Sequence, residues 1–217
     1  MNNLCIINGS PKKKNSNSSY FINELIQLFN NNIKAKEYYV SELMKDTSSL
    51  NEILSFNKII FISPLYADCL PSPMMDFMIC FEAFLKNKKS LNTDMYCLIN
   101  CGFLEGTQNS IAIDIMENYC TRIGFNWRLG IGIGAGEFMI NSKNIPLNSK
   151  MKSPIYDALL TLKKDIENIN NSITSQNKIL VNAKMPKFIF KLAGNMYWKR
   201  IAKKNNLKTK DLYKRIY

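Results

Sequence analysis

The residues best suited to chemistry in this 217-residue chain gather near its start, in Gly9-Ser10-Pro11-Lys12-Lys13-Lys14-Asn15-Ser16-Asn17-Ser18-Ser19. Hydroxyls at Ser10, Ser16 and Ser18 stand among three consecutive lysines. The apolar run Leu4 to Ile7 before them predicts a buried strand, and Phe21, Ile22, Leu25, Ile26 and Phe29 after them recur at helical spacing. The first turn of a helix has unpaired N–H groups and a partial positive charge, so this strand-to-helix turn is suited to cradle a phosphate. The same residues also fit an ordinary polar loop with Ser16 or Ser18 as the helix cap. No Gly-Lys-Ser/Thr follows the glycine, and Gly-x-Gly-x-x-Gly is absent, so the segment is neither a Walker loop nor a dinucleotide fingerprint.

What the chain lacks narrows the chemistry further. It has no histidine, which removes Ser-His and Cys-His hydrolase arrangements, His-dependent metal sites and the commonest general acid–base group. No metal site and no catalytic acid or base is therefore assigned. The cysteines at 5, 69, 80, 97, 101 and 120 form no Cys-x-x-Cys, and several fall inside predicted elements. Buried thiols and a reduced, cytoplasmic compartment are expected. No apolar run approaches the ~20 residues that span a bilayer, and no basic leader precedes the first strand. The 28 asparagines sit naturally at helix ends and loops and are given no functional weight.

The elements that must position the polar turn alternate along the chain. Strands are predicted over 35–40, 58–62, 94–101 and 126–134, and helices over 74–85 and 109–123, with a weak one over 49–55. A last body helix begins at Ser153-Pro154 and carries Ile155, Leu159, Leu162, Ile166 and Ile169. Near-continuous apolar strands alternating with helices predict an α/β fold, a five-stranded, doubly wound parallel sheet of flavodoxin-like order 2-1-3-4-5. Ligands of such sheets bind beyond the carboxyl ends of the strands at the switch point, here between strands 1 and 3. That is where residues 9–18, 64–73 and 100–108 must meet.

Two of those loops have the composition of a flat-ring site. In Ser63-Pro64-Leu65-Tyr66-Ala67-Asp68-Cys69-Leu70, Pro64, Leu65 and Tyr66 can form an apolar wall, and the N–H groups of residues 66 to 69, Ala67 and Asp68 included, a polar edge. Tyr66 can equally cover the end of the sheet. Asn100-Cys101-Gly102-Phe103-Leu104-Glu105-Gly106 has glycines that permit close backbone approach. Phe103 stacks on a ring or plugs the loop base, and Cys101 reads as a small buried thiol. Gly130 to Gly136 reads as a strand with close packing and a turn, with no immediate helix over 137–146.

Together these residues resemble the NAD(P)H-dependent FMN reductase-like flavoproteins of the flavodoxin-like superfamily, over residues 1 to about 170. Gly9-Ser10-Pro11 with Ser16-Asn17-Ser18 resembles their FMN-phosphate loop, Pro64-Leu65-Tyr66 their isoalloxazine loop, and Asn100 to Gly106 their third flavin loop. The resemblance implies bound FMN, its phosphate held by Ser10, Lys12, Ser16, Asn17 and Ser18. It also implies two-electron transfer from NADH or NADPH to a quinone, flavin or other small acceptor. The flavin supplies that chemistry, which suits a chain without histidine. A homodimer is expected, since flavin sites of this kind often need a second subunit to cover the ring. An electron carrier is the alternative, although carriers usually present acidic surfaces, and a flavin-free membrane-docking scaffold is a third. Three lysines in a row, where the family commonly has one basic residue, depart from its pattern.

The remaining chemistry lies in the charge distribution. Of the net +12, residues 178–217 carry +11, with twelve Lys and Arg against the single Asp211. Residues 1–173 are therefore expected as an FMN-binding domain and 174–217 as a basic helical extension, helical over 187–204 with a short helix from Thr209 holding Leu212, Tyr213 and Ile216. This extension can pack on its own domain or a second subunit, or lie on an anionic membrane surface. Nucleic acid is disfavoured, because no recognition motif accompanies the charge.

Overall fold

A computed structural model describes residues 2–46, 48–86, 88, 92–167 and 177–215. Apolar runs form β1 (Asn2–Asn8), β3 (Lys58–Pro64), β4 (Asp94–Asn100) and β5 (Asn126–Ile133), and the more polar Ile33–Tyr39 forms the edge strand β2. The connections carry α1 (Asn17–Leu28), the short α2 (Val40–Leu43) and α3 (Ser49–Ile53), then α4 (Ser72–Leu85) and α5 (Ser110–Arg122). After β5 come α6 (Gly136–Asn141), α7 (Ser153–Glu167), β6 (Lys178–Val181) and α8 (Lys187–Lys204). A 3-10 turn over Thr209–Tyr213 follows; Ile169 and Ile216 lie outside the described residues.

All described strand pairs are parallel, in the order β2-β1-β3-β4-β5-β6. The sheet thus extends the expected 2-1-3-4-5 order but has six strands, not five. Lys178–Val181 pairs with Gly130–Ile133 at the edge. Four residues after a polar stretch are too few for periodicity to register, and their partly buried side chains give no clean alternation. Contact density divides the chain into Met1–Ala183 and Lys184–Tyr217, so this strand belongs to the first unit. The boundary expected between 173 and 174 lies outside the described residues. A second correction concerns residues 137–146: a helix, Gly136–Asn141, follows β5 at once. The left-handed Ala135 (φ 58°) reverses the chain, which residue types alone do not announce.

Strand alternation fills two cores. Cys5, Ile7, Phe61, Met95 and Cys97 face one side with α4 and α5, while Leu4, Ile6, Ile62, Leu98 and Ile131 face the other with α1 and α7. Near the amino ends of β3 to β5, Arg128 and Asp165 form a buried bidentate pair (3.0 and 3.0 Å), and Tyr96 donates to Asp165 at 2.8 Å. This charged cluster is at the end of the sheet opposite the carboxyl ends of its strands and is structural. Lys152 is fully buried, and its ammonium donates to the carbonyls of Ser142 (2.8 Å) and Ile145 (3.0 Å).

All six cysteines are free; four are buried, and Cys69 and Cys80 are partly so. Burial pushes the Cys97 thiol well above its ordinary 9.0. A raised value means that the folded chain keeps a proton the unfolded chain releases, so this contribution is full below pH 9.0 and fades above it. The cost of Cys97→Ala is therefore expected to shrink by about 1 kcal/mol between pH 7 and pH 10. Guanidinium midpoints of both proteins at the two pH values check this.

Candidate functional site

The carboxyl ends of β1, β3 and β4 adjoin, and short backbone bonds tie their loops together. The Gly9 N–H donates to the Ile62 carbonyl (2.9 Å), Leu65 N–H to Asn100 (2.8 Å) and Cys101 N–H to Ile133 (3.0 Å). The three expected loops therefore converge. Asn100 pins them: it is 1% exposed, and its Nδ2 donates both to Ser18 Oγ (3.1 Å) in the first turn of α1 and to the Ser63 carbonyl (3.1 Å). A buried amide with both protons engaged positions its neighbours.

The first loop combines both readings of its serines. Ser16 caps α1, its Oγ accepting from Ser19 N–H (3.1 Å) and donating to the Lys13 carbonyl (2.7 Å). Ser18 is buried and accepts from Asn100. Both hydroxyls thus build the turn. The helix's first N–H groups, of Asn17 and Ser18, have no partner within the helix by geometry and form its positive end. Ser10, nearly buried, has its N–H held by Asn8 Oδ1 at 3.0 Å. Lys13 pairs with Glu42 at 3.0 Å, whereas Lys12 and Lys14 are exposed.

The second loop is a tight hairpin. Tyr66 N–H donates to Cys69 O (2.8 Å) and Cys69 N–H to Tyr66 O (3.0 Å), with Ala67 and Asp68 both left-handed at φ 47° and 60°. That is a type I′ turn built without glycine. It engages the N–H groups of residues 66 and 69, so only those of Ala67 and Asp68 remain for a ligand edge. Strain of this kind gathers at functional sites. Ala67→Gly is expected to raise unfolding stability by about 1 kcal/mol, measurable by urea denaturation. Pro64 ends β3, Leu65 is buried at the loop base, and Tyr66 is 43% exposed.

In the third loop, Phe103 is 55% exposed, so it does not plug the base; Leu104, 8% exposed, does. An added Cβ at Gly102 would meet nothing within 4 Å. Cys101 is buried, with its sulfur 3.7 Å from the Phe103 and Glu105 carbonyls, and burial raises its thiol pKa. It is a protonated structural group. Gly106 N–H is bound by Asn182 Oδ1, and a Cβ on Gly106 would overlap the Val181 carbonyl. Gly134 N–H donates to that carbonyl at 3.0 Å. Gly130 to Gly136 thus brings β5, β6 and the third loop into backbone contact, as close packing requires.

Sequence reasoning passed over two asparagines. Asn8 donates to Ser19 Oγ (3.2 Å) and Glu37 (2.8 Å) while holding Ser10. Asn109 donates to Gly106 O (3.0 Å) and Ile133 O (3.3 Å). Asn100, expected at the ligand, also ties the loops together. The available signal was position: Asn8 and Asn100 each end an apolar run, where a buried polar group needs a partner.

No protein-family model and no curated protein matches the chain. Solved structures do. An NADH:FMN oxidoreductase in its apo form superposes with a TM-score of 0.56 at 12% identity, covering 82% of this chain and 96% of that one. General stress protein 14 of Treponema denticola in complex with FMN gives 0.56 at 8% identity, covering 76% and 99%. An NADPH-quinone reductase from P. pentosaceus gives 0.54 at 14% identity, covering 78% and 99%. At such identities the likeness is one of architecture alone: this chain has a flavodoxin-like fold.

Proposed function

We propose that the chain is an FMN-dependent oxidoreductase that passes electrons from NADH or NADPH to a small acceptor such as a quinone or a flavin, in the cytoplasm and as a homodimer. The observation that carries this reading is the convergence of three loops: one opens a helix N-terminus, one presents a strained turn, and one leaves an exposed aromatic. The groups present fit FMN. The N–H groups of Asn17 and Ser18 would hold the phosphate, with the Ser10 hydroxyl and the exposed Lys12 and Lys14 in support. The N–H groups of Ala67 and Asp68 would meet the polar ring edge, and Tyr66 and Phe103 its faces.

FMN, when bound, supplies two-electron transfer. The chain's part is to bind, orient and shelter. Asn100 and Asn8 keep the loops in register, Ser16 fixes the start of α1, and the protonated Cys101 keeps charge away from the third loop. The architecture of the solved relatives supports the assignment.

The test is the absorption spectrum of the purified protein after excess FMN is added and the unbound fraction removed. Flavin bands that bleach anaerobically with NADH or NADPH are expected. Bands that persist with both would identify an electron carrier, and the absence of bound flavin would overturn the site.

A further inference from the structure

The second unit, Lys184–Tyr217, has a surface that the flavin reading does not use. On α8, Phe188, Leu192 and Met196 follow one another at four-residue spacing and are 71%, 58% and 62% exposed. At 3.6 residues per turn they form one stripe. Beyond Met196 the same side carries Lys199 and Lys203, while Ile201 falls on the opposite side and Trp198 about a third of a turn away. Gly194 stands near this changeover, and an added Cβ there would meet nothing within 4 Å. No neighbour requires the glycine.

Charge decides what can cover such a surface. Residues 184–217 hold eleven Lys and Arg against Asp211 alone. That carboxylate is already engaged by Lys214 (2.7 Å) and the Lys208 N–H (2.8 Å). A second copy would bring an equal positive charge against the first. A nucleic acid would meet the cations but leave Phe188, Leu192 and Met196 in water. An interface with anionic headgroups above and acyl chains below satisfies both sets of side chains, because lysines on the stripe's own side reach the headgroups along their apolar stems. No described helix is long and apolar enough to cross a membrane, so the helix lies along the surface. We infer that α8 docks the protein on anionic lipid, with Phe188, Leu192 and Met196 inserted and the surrounding cations at the headgroups.

The experiment is cosedimentation of the full chain with phosphatidylcholine–phosphatidylglycerol vesicles and with pure phosphatidylcholine vesicles, at low and high salt. Binding to the anionic vesicles alone, weakened by salt, is expected. Each cation at the surface contributes about fivefold, so Lys199→Gln with Lys203→Gln should weaken partition by about tenfold or more. Phe188→Ser, Leu192→Ser and Met196→Ser together should weaken it by at least about tenfold. Far-UV circular dichroism confirms that the variants are folded. No vesicle binding by the folded parent would overturn the inference. So would equal binding to neutral vesicles, or unchanged binding by the folded serine variant. Displacement from vesicles by duplex DNA, or a dimer abolished by the serine variant, would assign the surface to those partners instead.

Discussion

Asn17→Pro is expected to weaken FMN binding by about tenfold to a hundredfold and leave stability unchanged, the range set by one hydrogen bond to a charged group. Asn17 is the first helical residue of α1. Proline is favoured at that position because its missing N–H has no helical partner. The preceding Ser16 is extended (φ −126°, ψ 160°), the conformation that a residue before proline prefers. The Ser16 cap on Ser19 N–H does not involve Asn17. The substitution therefore removes a phosphate donor without disturbing the scaffold. Asn17→Ala, which keeps the N–H, should bind within a few-fold of the parent. Flavin fluorescence titration measures both, and thermal unfolding followed by circular dichroism verifies the fold. If Asn17→Pro binds FMN as tightly as the parent, the phosphate is not at this helix end.

Gly134→Ala should cost about 3 kcal/mol or more, because the added methyl enters backbone that cannot swing away. It would overlap the Leu104 carbonyl and stand 2.7 Å from the Gly106 nitrogen. The Gly134 N–H also bonds to β6 through Val181 (3.0 Å), so relief would have to move β5, β6 or the third loop. The last choice would displace Phe103 and lower FMN affinity as well. Gly102→Ala, two residues before Leu104 and with nothing within 4 Å, is the control and should stay within about 0.5 kcal/mol of the parent. Urea unfolding with linear extrapolation separates the two.

The contrast between these glycines shows where reading from residue types ends. Gly102 and Gly134 are equally permissive in sequence, but one faces open space and the other a carbonyl from a different loop. The tail differs: its helix over 187–204 is local, and its start and end agree between sequence and structure.

The amino-acid sequence by itself determined the alternation of strands and helices, the converging loops and the concentration of charge in the last forty residues. Hydrophobic periodicity, helix-start residues and net charge are properties of neighbours along the chain, so they can be read there. Tertiary structure alone decided which donors each loop keeps. Ser16 and Ser18 are engaged by Ser19 and by Asn100, which lies 82 residues from Ser18 in sequence. Tyr66 and Cys69 are joined by a turn made from two left-handed residues that are not glycine. It also decided the sixth strand, because four residues form a strand only when an edge with free backbone groups stands beside them. Hydrogen-bond partners and clashes are set by distance in space, and the asparagines at 8, 100 and 109 acquired their roles only when the sheet brought the loops together.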